Sequence, residues 1–333
     1  MRRWRKLLLP LSWIYGVVIF IRNYLFDIQF FKSVSYDFPV ICIGNLSVGG
    51  TGKTPMTEYI AQLLSSHHNT AILSRGYKRV TSGFILSDEN ASAESIGDEP
   101  FQYHKKLKEV HVAVDEDRRH GISSLKQMVH PEVVILDDAF QHRKVKAGLN
   151  ILLTMYNDLY VNDLLLPAGN LRDLKSQAKR AEIIVVTKCP PKLSVQERDE
   201  IIERLNPCSH QKVFFATIVY KEHAYANSEK FSLQNLQGRS ITVVTGIAHP
   251  EPFLNYLESI GLQFDHKQYA DHHNFSPSEI EELKQKELIL TTEKDYVRLE
   301  NKLNNVFYLP IEVSFISEED TFKTEVLNFA ACS

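Results

Sequence analysis

The sequence of 333 residues has little cysteine, and Cys42, Cys189, Cys208 and Cys332 form no CxxC pair. That scatter excludes a disulfide scaffold and a cysteine-built zinc site, and it suits a reducing compartment. A basic excess is also missing. Lys plus Arg is 38 and Asp plus Glu is 41, giving a formal net charge of −3. A nucleic-acid binder usually carries a basic patch or excess, so no nucleic-acid partner is expected. No protein partner is indicated either. There is no internal repeat and no low-complexity linker. The 13 histidines include no HxxxH pair of the kind that places two zinc ligands on one helix face. Long apolar runs are absent too. The uncharged run Leu7–Ile21 has 15 residues. As a helix it reaches about 22 Å, against a bilayer core of about 30 Å. What is present, 44% hydrophobic and 24% charged residues, is globular composition. The length predicts roughly two domains.

Arg2, Arg3, Arg5 and Lys6 precede the uncharged run, and Pro10 and Gly16 weaken it as a continuous helix. Three readings compete. A secretory signal would place small residues soon after the run. Here Arg22–Lys32 follows, with Phe26, Phe30 and Phe31, and the triplet Ser33-Val34-Ser35 comes late. A buried core helix is the second reading. The third, which the pattern favours, is a membrane-associated helix, monotopic or just spanning. Its basic end would face anionic headgroups, and Trp13 and Tyr15 suit an interface.

From Phe38 onward, short apolar runs alternate with helix-length polar segments. The runs are Pro39–Ile43, Thr70–Leu73, Val110–Val114, Val133–Leu136, Asn150–Leu153 and Ile183–Thr187. They are nearly continuous in Val, Ile and Leu, as strands buried on both faces of a parallel sheet are. Val213–Tyr220 reads as a connecting strand, and Ile241–Thr245, Leu288–Thr291 and Val306–Val313 as further strands. Helices are expected near Pro252–Ile260 and Pro277–Lys286. The predicted class is α/β: a P-loop NTPase-like parallel sheet flanked by helices, with a smaller C-terminal α/β domain. The expected division is a membrane-associated helix over 1–27, the larger sheet's core over 28–212 and the smaller domain over 213–333.

The strongest local signal is Gly44–Pro55, GNLSVGGTGKTP. Gly52, Lys53 and Thr54 form the GK[ST] end of a phosphate loop. The backbone of Ser47, Val48, Gly49, Gly50, Thr51 and Gly52 would cradle phosphates, with Lys53 on the β- and γ-phosphates and Thr54 on Mg²⁺. A helix beginning near Thr54 adds its positive end. The strict pattern asks for Gly at position 47, where this chain has Ser47. Asp137 and Asp138, at the end of the run Val133–Asp138, lie where the carboxyl edge of a parallel sheet binds ligands, and are the metal candidates. One would hold Mg²⁺ through water; the other would bind it directly or help position the acceptor. A GTP-selective NKxD loop is lacking. That position reads Thr187-Lys188-Cys189-Pro190, which favours ATP.

Weaker clusters remain. In Gly97–Pro100, Asp98 or Glu99 could accept a proton from an attacking hydroxyl. Taken alone, this is more often an ordinary acidic turn. Asp271-His272-His273 is by default a solvated loop, or else a His positioned to orient such a carboxylate. Arg118 and Arg119, then Arg143, Lys144 and Lys146, then Arg172 and Lys175 are solvated faces or, together, an anion-binding set. Arg75-Gly76-Tyr77 follows the second strand and is a possible substrate contact.

In this order, SVGGTGKTP, LSRGYKR, GDEP, VDEDR, ILDDAFQHR, LPAGNLRD, VVTK, YADHH and TTEKD resemble the tetraacyldisaccharide 4′-kinase (lipid A 4′-kinase) family. The resemblance extends from the N-terminal helix to about Arg298. It implies an ATP- and Mg²⁺-dependent P-loop lipid kinase at the cytoplasmic face of the bacterial inner membrane. Its acceptor would be the 4′-hydroxyl of a tetraacylated glucosamine disaccharide 1-phosphate, and its product lipid IVA. By position, Lys53 and Thr54 match the phosphate and Mg²⁺ residues, and Asp137 and Asp138 the paired acids. Asp98 matches the catalytic base, Glu99 lies beside it, and His272 matches the His that tunes it, with His273 next to it. Arg119, or its neighbour Arg118, matches the family's catalytic arginine. Tyr77, Gln141, His142, Asn170 and Arg172 match substrate-binding positions. Where the family often has Glu after the Arg of the LR motif, this chain has Asp173.

Two rivals stand beside the lipid kinase. A membrane-bound P-loop ATPase switch would hydrolyse ATP without a sugar acceptor; the early lysine of such loops is Val48 here. A non-enzymatic adaptor with a relict site fits poorly with the presence of Lys53, Thr54 and both strand-end acids.

Overall fold

The computed structural model describes residues 3–226, 229–271 and 273–331. In chain order the elements are α1 (Leu9–Asp27), β1 (Val40–Asn45), α2 (Lys53–Ser65), β2 (Thr70–Ser74), β3 (Ile85–Leu86), α3 (Ala93–Ile96), α4 (Asp98–Lys106), β4 (Val110–Val114), α5 (Arg118–Met128), β5 (Val133–Asp137), β6 (Leu149–Met155), β7 (Ile183–Thr187), α6 (Val195–Leu205), β8 (Lys212–Tyr220), β9 (His223–Ala226), β10 (Glu229–Ser232), β11 (Ile241–Thr245), α7 (Glu251–Ser259), β12 (Phe264–Gln268), α8 (Pro277–Lys284), β13 (Leu288–Thr292), α9 (Glu293–Leu299), β14 (Val306–Leu309), β15 (Ile311–Phe315) and α10 (Glu319–Ala331).

Nine strands form the first sheet, in the order β15-β8-β7-β6-β1-β5-β2-β4-β3. Its interior pairings are parallel, and the two edge pairings, β15 with β8 and β3 with β4, are antiparallel. β1 shows why the apolar runs are continuous. Val40 and Cys42 join one core layer, and Ile41 and Ile43 join the layer on the opposite face. Each full burial of this kind stabilises by about 1.5–3 kcal/mol. Six strands form the second sheet, in the order β10-β9-β14-β13-β11-β12, with cores of its own around Val243, Leu257 and Leu290 and around Leu283 and Leu299.

Val213, where the sequence suggested a change of domain, lies within β8 and pairs with Ile184 of β7. The chain enters the second sheet at β9 and returns to the first at β15. α10 then buries Phe322 and Val326 in the layer that holds α2.

Neither Pro10 nor Gly16 breaks α1. Pro10 sits in its first turn, where its missing N–H is not needed. A Cβ on Gly16 would come within 2.9 Å of Leu165 Cδ1, so the glycine lets the helix lie close against the first sheet's unit. One face of α1 buries Ser12, Asn23 and Phe26. The other leaves Leu11, Trp13, Ile14, Val18, Phe20 and Ile21 exposed. Over Arg5–Asp27 the helix is long and apolar enough to cross a membrane.

Candidate active site

The phosphate loop follows β1, the strand flanked by β5 on one side and β6 on the other. Positive φ falls at Gly49 (117°) and Gly52 (84°), where side chains would be strained. Ser47 needs no such freedom. It is buried in an extended bridge with Leu171, while Val48 N donates to the Asn170 carbonyl at 2.8 Å. That pairing explains how the chain departs from the strict glycine pattern at this position. The loop is tied again at Thr51, whose carbonyl accepts from Thr187 Oγ1 and whose Oγ1 accepts from Asn45 Nδ2, both at 2.8 Å. α2 starts at Lys53, with Thr54 in its first turn.

Asp137 ends β5 directly beside β1, in register with Ile43. It is buried and, among the described residues, receives two long contacts, 3.4 Å from Thr57 Oγ1 and 3.3 Å from Ser74 Oγ. Burial, reinforced by Asp138, pushes its carboxyl up to about 6. Asp138 differs. Burial raises it too, but Lys53 and Arg172 outweigh burial and hold it below the ordinary carboxylate range. Lys53 Nζ stands 3.8 Å from Asp138 Oδ1, and the Arg172 guanidinium pairs with both Asp138 oxygens. Arg172 also reaches Asn45 Oδ1, and Gln141 Nε2 donates to the Asn45 carbonyl at 2.8 Å. Lys53, Asp138, Arg172, Gln141 and Asn45 thus form one connected cluster at the carboxyl edge of β1.

α1 supports this cluster from outside. Tyr15 Oη donates to the Arg172 carbonyl at 2.9 Å, and Arg22 donates to the Gln141 carbonyl at 2.6 Å. Arg5, expected to face headgroups, turns inward instead: it donates to the carbonyls of Pro167 and Gly169 and to Asn170 Oδ1. Asp173 is fully buried and accepts from Asn23 Nδ2 at 2.7 Å, so its carboxylate engages α1. Arg118 is buried and donates to the Asp115 carbonyl at 2.7 Å. Arg119 is half-exposed, pairs with Asp117 at 2.7 Å, and lines a pocket of about 540 Å³ with Arg22, Phe26, His142, Arg143 and Lys144. His142 Nε2 is buried with no hydrogen-bond partner among the described residues. Burial, helped by Arg118, pushes its imidazole down to about 4.

Asp98 begins α4. A Cβ on the preceding Gly97 (φ 94°) would lie 3.0 Å from the Tyr77 carbonyl, so the Tyr77 loop packs directly on this turn. The Tyr77 side chain itself is exposed. Glu99 lies close enough to Asp137 to raise it electrostatically. Asp98 is buried, and its carboxylate is paired with Arg298 of α9, across from the second sheet. His272 lies outside the described residues. His273 turns its ring nitrogen to Glu279 at 3.0 Å.

Sequence reasoning missed Asn45, Lys188 and Arg298. Asn45 had a visible signal, since it sits at the end of a strand that opens a phosphate loop. Lys188 stands close to the loop at Gly50, and its signal was a lysine at the carboxyl end of β7. Arg298 had none, because its role depends on how the second sheet's unit is placed against the first.

The geometry defines a P-loop phosphotransferase: a helix-capped phosphate loop, a lysine and paired strand-end acids on one edge of a mostly parallel sheet. The profile of the tetraacyldisaccharide-1-P 4′-kinase family matches residues 4–331. A tetraacyldisaccharide 4′-kinase of Flavobacterium johnsoniae is 48% identical over 331 residues, covering 98% of this chain and 97% of that protein. One from Bacteroides thetaiotaomicron is 44% identical over 352 residues, covering 97% and 93%. The crystal structure of the "apo" form of LpxK from Aquifex aeolicus in complex with ATP superposes with a TM-score of 0.81 at 34% identity, over 98% of this chain and 99% of that one. The chain belongs to the tetraacyldisaccharide-1-P 4′-kinase family and is a kinase of lipid A biosynthesis.

Proposed function

We propose that this enzyme transfers the γ-phosphoryl group of ATP to the 4′-hydroxyl of a tetraacylated glucosamine disaccharide 1-phosphate, yielding lipid IVA. The carrying observation is the cluster of Lys53, Asp138 and Arg172 at the mouth of the phosphate loop, buttressed by a helix whose outer face is apolar. A donor-phosphate site is thereby set beside a surface suited to lipid.

The reaction divides among the chain's own groups. The backbone of residues 47–52 receives the phosphates, and Lys53 neutralises charge on the β- and γ-oxygens. The acceptor oxygen bonds to Pγ, the bond from Pγ to the β-bridging oxygen breaks with its electron pair leaving on ADP, and Asp98 takes the hydroxyl proton. His272 is read as the partner that tunes Asp98, with Glu99 beside it. Arg119 sits in the pocket with His142, whose orphan Nε2 suits a polar ligand; Gln141, Asn170, Arg172 and Tyr77 complete the acceptor side. Thr54, Asp137 and Asp138 supply the hard oxygen donors that Mg²⁺ prefers, and the sparse hydrogen bonding of Asp137 suits a ligand carboxylate. Mg²⁺ held there would supply positive charge that offsets the charge on the phosphates.

The exposed face of α1 is read as lying in the cytoplasmic leaflet of the inner membrane. The second unit is read as residues 223–309, closing over Asp98 so that water is excluded during transfer.

The test is a transfer assay in detergent with γ-labelled ATP, Mg²⁺ and the acceptor lipid. Label should appear on the lipid and fall about 10²–10⁴-fold in Asp98→Asn. Label released only as free phosphate, equally with and without lipid, would favour an ATPase switch instead.

A further inference from the structure

Arg298 lies 200 positions beyond Asp98, yet its guanidinium meets both oxygens of that carboxylate. Nε donates to Oδ1 at 3.3 Å, and Nη2 donates to Oδ2. The third arm, Nη1, donates to the His273 carbonyl at 2.9 Å. One planar fork therefore joins the first turn of α4 to the segment between β12 and α8. The pair is well desolvated, with side-chain exposures of 13% and 10%.

The seam around it is built to hold this distance. Lys106, at the far end of α4, pairs with Glu58 of α2 at 2.7 Å and with Glu293 of α9 at 2.8 Å. Lys105 pairs with Glu300 at 3.5 Å, and Val297 packs against the cluster containing Phe101. α4 and α9 are thus joined at several points along their length, and the reach of Arg298 follows from that placement rather than from a mobile surface side chain.

We propose that Arg298 is a positioning residue for phosphoryl transfer: it fixes the Asp98 carboxylate in the orientation from which it receives the acceptor's proton. The proposal rests on the reading of Asp98 as that proton acceptor. A carboxylate offers about four acceptor positions, and the fork occupies two of them, which fixes the plane of the group. A planar, always-charged guanidinium gives this geometry, whereas a lysine offers one point charge and no fork. Misplacing a reacting group by about 1 Å can cost about 10²-fold in rate.

The experiment is a double-mutant cycle on the full-length enzyme in detergent, reading kcat, KM for ATP and KM for the acceptor, with ATP affinity measured separately. Arg298→Met is expected to lower kcat by about 10–100-fold while ATP affinity stays within about twofold. Arg298→Lys should recover part of that loss. In the Asp98→Asn background, Arg298→Met should cost nothing further, because its route to the chemistry is already gone. An undiminished kcat in Arg298→Met overturns the proposal. So does a loss that persists in the Asp98→Asn background, which would mean that Arg298 acts on the substrate directly. Should Arg298→Met fail to fold, the same cycle is run with Arg298→Lys and judged by the same two outcomes. Unaltered kcat in Asp98→Asn strikes at the proton-acceptor reading instead, while a crippled Asp98→Asn beside an intact Arg298→Met strikes at this proposal alone.

Discussion

The two sides of the site are held by different forces. On the nucleotide side, the phosphate loop is tied to the first sheet by short-range bonds to main chain: Val48 to Asn170, Thr51 to Thr187, Gln141 to Asn45. On the α4–α9 side, charged side chains span from one sheet's unit to the other: Arg298 to Asp98 and Lys106 to Glu293, with Glu58 of the first unit sharing the Lys106 ammonium. The first kind of support is preorganised within a single core and is lost only if that core unfolds. The second must be assembled by docking two units, and each link leaves a buried charge behind if its partner is removed. On the proposed reading, donor binding is therefore built into the fold, and acceptor activation is made conditional on how the units meet.

Three measurements break or sharpen that contrast. The largest effect is expected at Lys106. Lys106→Met leaves two buried carboxylates without their cation, and should lower unfolding stability by about 3–5 kcal/mol. Urea melts check this, and a stability within error of the parent would show that the seam is not held as described. Next is Lys53→Ala, on the nucleotide side. It should cost about 10²–10³-fold in kcat and weaken ATP binding while leaving the melting curve nearly unmoved. Unchanged ATP affinity there would contradict the phosphate-loop assignment.

The smallest effect concerns His142. Its imidazole is held down at about 4, so the folded state resists a proton that the unfolded chain accepts near 6.5. Stability from this group is complete above about pH 6.5 and is lost as pH falls toward 4. Because the ring is partly solvent-exposed, the loss is discounted to about 1 kcal/mol. His142→Asn should flatten the acid slope of stability in that window by this amount, and an identical slope in both proteins would refute it.

The parallel sheet was legible because β1, β2, β4, β5, β6 and β7 are buried on both faces and read as unbroken apolar runs. The phosphate loop was legible because its glycines and lysine are local in sequence. What escaped had no local signature. β12, FDHKQ, is an edge strand with charged residues, and β3 has only two residues. The run Val306–Val313 looked like one strand but is two, β14 and β15, in different sheets and separated at Pro310. α10 was not among the expected helices, and only the third dimension places Phe322 in the layer that holds α2. Lys53, Asp137 and Asp138 could be chosen from sequence because neighbouring strand ends bring them together. Arg298 could not, since nothing near it in the chain points to Asp98.

The return of the chain through β15 has one more consequence. Ile311 lies opposite Tyr220, and Lys221 N donates to the Pro310 carbonyl at 3.0 Å, so the exit from the first sheet and the re-entry stand side by side. Topologically, everything between them is the tip of a β-hairpin grown into a flap. A flap on one leg can swivel freely, but one hung on two adjacent legs pivots about a single line. Any opening along that line would carry Arg298 and Glu293 away from α4 in one stroke, so that the grip on Asp98 and the link to Lys106 would be released or restored as a unit.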